Sequence, residues 1–132
     1  MKRDETQTVV NVMKKDRYEM DIENLWAIFF KSPEIFKKHF GQVRPEYFND
    51  SYFTAIYEIV KKQYNITNVF SYEKLEESCD DDLKTKVNIL LLQADNYFDN
   101  ISEKDLDREV SSIIDRIEGE YHKKILIKNF NT

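Results

Sequence analysis

Apolar residues recur at spacings of three and four along most of this 132-residue chain, and few helix breakers interrupt them. An aromatic-rich block runs from residue 19 to 96, and a second stretch runs unbroken from 106 to about 130. Three-four spacing gathers side chains onto one face of a helix. Two Gly and two Pro are present, too few for the tight turns that many-stranded β proteins need. The reading is therefore an all-α chain, a compact bundle of five to six helices followed by a long C-terminal helix. Residues 1–17 read as a flexible polar tail, 18–100 as the bundle and 101–132 as an interaction helix.

The local signals agree with that division. Ile22, Leu25, Trp26, Phe29 and Phe30 make one face of a first, largely buried helix starting near Glu19. Ser32, Pro33 and Glu34 supply an N-cap, a first-turn proline and a first-turn acid for the next. Gly41 is expected in the left-handed region just past its end. Pro45 rules out a full helix over 44–48, so a turn is expected there that inserts Phe48 into the core. Asn49 or Asp50 caps a third helix carrying Phe53, Ile56, Tyr57, Val60 and Tyr64, with Asn65 as its left-handed end. Residues 66–70 suit a brief extended segment that has no strand to pair with. Ser71 caps a short helix around Leu75, and Asp80 to Asp82 cap one holding Leu83, Val87, Leu90, Leu91 and Ala94.

Ser102 opens the last helix, with Asp105 in a variant of the capping box. Its stripe is Leu106, Val110, Ile113, Ile117 and Tyr121, widened by Ile114, Ile125, Leu126 and Phe130. A helix of about 25 residues extends roughly 40 Å, longer than a small bundle is wide. Leu106 to Ile117 serve either core or partner, and beyond Tyr121 the stripe reads as a partner surface. The candidate anchors are Ile113, Ile117, Tyr121, Ile125, Leu126 and Phe130.

Composition narrows the function classes. A net charge of −5 argues against strong direct binding of nucleic acid, which needs a concentrated positive surface. The local clusters Lys14, Lys15 and Arg17, then Lys37 and Lys38, then Lys123, Lys124 and Lys128 read as solvated helix faces and termini. No apolar run approaches about 18 residues and no secretory signal opens the chain, so no membrane contact is expected and the location is read as cytoplasmic. The single Cys79 cannot form an internal disulfide.

Chemistry-bearing patterns are sparse. His39 and His122 are the only histidines, with no HExxH pair and no second cysteine to complete a metal site. The Asp80 to Asp82 run lacks the glycine a calcium loop requires. Three aspartates beside Cys79 disfavour a thiolate nucleophile. Glycine occurs only at Gly41 and Gly119, which excludes a glycine-rich phosphate loop. No catalytic residue, no cofactor and no metal is expected. The expectation is a non-enzyme built to bind.

The run Glu23-Asn24-Leu25-Trp26-Ala27-Ile28-Phe29-Phe30, then Ser32-Pro33-Glu34, then Pro45-Glu46-Tyr47-Phe48, then Tyr52-Phe53-Thr54-Ala55-Ile56-Tyr57-Glu58-Ile59-Val60 resembles a pattern shared by two related modules of bacterial replication. These are the C-terminal helicase-binding domain of bacterial primase and the N-terminal domain of the replicative helicase. The likeness continues through Leu75, Leu90 and Leu91 to residues 107–117, covers about 19–130, and consists of apolar spacing. It implies an all-helical bundle followed by a helical hairpin, the docking part in primase. By position the hairpin's first arm falls on residues 106–130. The chain departs from the pattern in having no room after Thr132 for a second arm, so a longer parent, a lone arm or an arm from another chain is implied. Residues 17–23 lack the proline that commonly precedes the helicase domain's first helix, so primase is the nearer of the two. The resemblance implies a replicative helicase, or primase, as partner. A self-associating adaptor from a mobile element, using the same stripe, is the alternative.

Overall fold

The computed structural model describes residues 16–130, with side chains as far as Lys128. The residues before Asp16, read above as a tail, and the side chain of Phe130 lie outside the described residues. Six α-helices follow in order: α1 (Arg17–Lys31), α2 (Pro33–His39), α3 (Ser51–Thr67), α4 (Tyr72–Glu77), α5 (Asp81–Phe98) and α6 (Glu103–Phe130). Two single 3-10 turns, Phe40–Gln42 and Pro45–Tyr47, join α2 to α3. No strand occurs among the described residues. The fold is all-α.

Capping explains where the helices start. Asp16, Ser32, Asp50, Ser71 and Asp80 each accept a hydrogen bond from a backbone N–H of the first turn that follows. Asp16 sets the start of α1 at Arg17, two residues before the apolar pattern suggests. Ser102 Oγ accepts from the N–H of Asp105 at 3.1 Å.

Two helix ends differ from expectation. Gly41 lies within the 3-10 turn and no glycine of the described chain has positive φ. The chain leaves α2 by tightening to i+3 hydrogen bonding, which needs no left-handed residue. The third helix runs on to Thr67, so Asn68 and not Asn65 takes the left-handed conformation, with φ 58° and its N–H donating to the Tyr64 carbonyl at 2.7 Å. Ile66 and Thr67 are thereby helical, and a bend at Asn68 and Val69 takes the place of the extended segment expected over 66–70. Asn68→Val is expected to cost about 1–2 kcal/mol, because a β-branched side chain clashes in that region. Asn68→Gly should leave stability within a few tenths. Urea unfolding of the two variants checks this.

The core is aromatic and centres on α1, which packs against α5 and α6. Trp26 is fully buried among Phe29, Phe30, Phe40 and Phe48, with ring centroids 5.7–6.5 Å apart. Phe36 makes a second hub, stacked on Phe40 at 4.5 Å and on Phe70 at 4.8 Å. The turn at Pro45–Tyr47 carries Tyr47 as well as Phe48 into this core.

Candidate interaction surface

The last helix changes character along its length. Leu106, Val110, Ile113, Ile114 and Ile117 are all buried in the core that α6 shares with α1 and α2. Of the candidate anchors, Ile113 and Ile117 therefore pack inside this chain. The structure answers the core-or-partner alternative for them with the core. Tyr121 is half-buried, its ring 5.2 Å from that of Tyr47. One turn later Lys124 lies over the Tyr18 ring, 4.2 Å from its centroid, a cation–π contact between α6 and the start of α1.

Beyond it Ile125, Leu126 and Ile127 are 36%, 65% and 54% exposed. Successive helical residues point about 100° apart, so these three side chains spread around most of the helix. A helix apolar on all sides is ordinarily enclosed. Ile127 was not among the anchors, because its spacing falls off the stripe. The apolar triplet itself was the available signal.

Polar contacts fix how α6 lies on the bundle. Asp21 of α1 is 4% exposed and accepts two hydrogen bonds from Arg116, from Nε at 3.1 Å and from Nη2 at 3.0 Å. Burying a carboxylate is costly unless it is paired and hydrogen-bonded, so this fork selects one register of α6 against α1. Glu103 accepts from the Ser32 hydroxyl at 2.9 Å, tying the start of α6 to the cap of α2. Asp107 takes Lys38 Nζ at 2.8 Å and His39 Nε2 at 2.6 Å. These contacts, the Lys38 hydrogen bond first, hold the Asp107 carboxyl below the ordinary carboxylate range. The Tyr18 hydroxyl donates to the Tyr47 carbonyl, and burial first of all pushes its pKa up to about 12.

The other reactive side chains are His39, His122 and Cys79. His39 is buried with Nδ1 lacking a protein hydrogen-bond partner, and it lines none of the clefts described. His122 borders a shallow groove with Gly41, Gln42, Arg44, Tyr47 and Glu118. Burial, then the Asp80 charge, raises the Cys79 thiol, whose Sγ donates to the Leu75 carbonyl at 3.1 Å. Asp80 is itself an N-cap, receiving the Leu83 N–H at 2.8 Å. A half-open cleft of about 240 Å³ lies between the starts of α1 and α3, walled by Tyr18, Ile22, Phe48 and Phe53 and rimmed by Asp16, Glu19, Asp50 and Lys124.

These elements define an all-helical bundle whose last helix carries an uncovered apolar end. Compared with protein-family models, curated proteins and solved structures, the chain matches none. The likeness to the replication modules rests on the residues that carry it. No helix among the described residues is long and apolar enough to cross a membrane.

Proposed function

We propose that this chain is a non-catalytic protein-interaction module of bacterial-type DNA replication, which uses the end of α6 to hold a replicative helicase or its primase. The observation that carries the reading is the exposed run Ile125, Leu126 and Ile127, directly after the contact of Lys124 with the Tyr18 ring. Burial of such side chains contributes about 25 cal/mol per Å² of apolar surface, and a few central apolar anchors dominate most interfaces. Lys123 and Lys124 precede the triplet, and exposed Lys123 suits an acidic rim on the partner. Ile125 and Leu126 are the anchors that remain open, with Tyr121 beside them. Its place as a module that brings helicase and primase together follows the resemblance of residues 19–130 to the domains that do so.

Pull-down of the chain against a purified replicative helicase, and separately against the matching primase, tests the proposal. Capture by the helicase supports a primase-like module, and capture by the primase a helicase-like one. The double variant Ile125→Asp with Leu126→Asp should lose capture by at least about tenfold, equivalent to 1.4 kcal/mol, with an unchanged helical circular dichroism signal. Capture by neither protein, or capture indifferent to the double variant, refutes it.

A further inference from the structure

Gly119 is a mid-helix glycine that no packing among the described residues requires. It is exposed, its φ is not positive, and a Cβ placed there would meet nothing within 4 Å. Glycine is the poorest helix former after proline, so the position weakens α6 with no packing return among the described residues. Leu126 lies seven residues further on, two turns or about 10.5 Å along the axis, and therefore on the same line of the helix. It is 65% exposed. That line faces away from the buried stripe of Leu106, Val110, Ile113 and Ile117. One outward line thus carries a notch and a knob two turns apart.

We infer that this line pairs with the same line of a second copy, antiparallel, so that Leu126 of each copy fills the gap over Gly119 of the other. A two-fold axis passing between His122 and Lys123 produces both contacts at once, and a two-fold interface is self-complementary in this way. Glycine lets the partner helix approach toward the short end of the usual 8–10 Å axial separation. Charge order favours the antiparallel sense. Exposed Asp115, Glu118 and Glu120 precede the axis and Lys123 follows it, so antiparallel pairing brings Glu120 of each copy near Lys123 of the other. Parallel pairing sets like against like. The two bundles lie on opposite sides of the helix pair, because the core face of α6 is opposite the paired line. A single helix pair belongs with the small, reversible interfaces, so the dimer should dissociate on dilution.

The inference rests on α6 being an interaction surface and not on which replication protein it meets. The test uses the full chain alone, in a Cys79→Ser background, with single cysteines introduced for oxidative cross-linking. His122→Cys, beside the axis, should give a disulfide-linked dimer whose yield falls on dilution. Arg108→Cys, on the same outward line but separated by about 40 Å along the axis from its counterpart in an antiparallel partner, should not. Gly119→Gln fills the notch: in the His122→Cys chain it should cut the cross-linked fraction several-fold while raising the thermal midpoint, because glutamine is the better helix former. Absence of cross-linking by His122→Cys at every concentration overturns the pairing. So does equal cross-linking through Arg108→Cys, which marks a parallel pair, or a dimer yield indifferent to Gly119→Gln. If the chain stays monomeric while Gly119→Gln abolishes capture by the helicase or primase, a heterologous partner covers this line and the second copy does not. Capture that persists without self-pairing overturns this inference alone and leaves the proposed function standing.

Discussion

Arg116→Met is expected to destabilise the fold by about 3 kcal/mol, among the largest effects of any charged residue in the chain. The reason lies in its partner. Asp21 has a side chain only 5% exposed and depends on the Arg116 fork at 3.0–3.1 Å. Removing one member of a buried pair leaves the other charge uncompensated, at a typical cost of about 3–5 kcal/mol. The low end applies here, since the Arg116 side chain is 36% exposed, and Arg17, at 4.0 Å from Asp21 and 71% exposed, supplies a weak second partner. Asp21→Leu combined with Arg116→Met should recover most of the loss, because an apolar pair carries no desolvation penalty. Urea unfolding at unchanged m-value checks both. A loss below about 1 kcal/mol for Arg116→Met would class the pair with ordinary surface salt bridges.

That pair also shows where sequence reasoning stops. Asp21 and Arg116 are 95 positions apart, and Asp21 reads locally as one more acid in the first turns of a helix. Nothing in spacing marks it as buried. The same holds for His39 and Asp107, which belong to different helices and meet only when α6 is laid on α2. Local signals fared better because capping is local: Ser32, Ser71 and Asp80 act where the sequence places them, each bonding an N–H within three residues. Helix ends were less legible. Several residues near the end of α3 are compatible with a left-handed stop, and tertiary packing of Tyr64 and Phe70 on Phe36 favours the longer helix.

The apolar stripe of α6 shows the same boundary at the candidate site. Periodicity found the stripe from Leu106 onward, and the length of the helix set a change of character near Tyr121, but neither showed whether Leu106 to Ile117 are core. The packing partners Tyr18 and Tyr47 lie 106 and 74 positions upstream of Lys124 and Tyr121, too far for local spacing to reveal where the helix leaves the core. Ile117 and Ile125 look alike in sequence. One is buried and the other is not.

Trp26→Ala should cost about 3–5 kcal/mol, the range for deleting a large buried aromatic, and more than any change on the exposed end of α6. The indole is fully buried on the central helix and touches four rings drawn from α1, the first 3-10 turn and the loop before α3. Its loss opens a cavity where these segments converge, so they cannot relax together. Against a total stability of about 5–15 kcal/mol for a domain, the variant should keep no more than about 2 kcal/mol at the low end of that range, enough to populate the unfolded state measurably. Trp26→Phe separates cavity from polarity. Trp26 Nε1 is buried without a protein hydrogen-bond partner, and such a group carries a desolvation penalty of about 1–3 kcal/mol. Phenylalanine keeps a ring in place and removes that donor, so its net cost should stay under about 1.5 kcal/mol. Thermal and urea unfolding of the two variants measure the difference. A Trp26→Phe loss as large as that of Trp26→Ala would mean that the indole N–H is satisfied in solution, by an internal water.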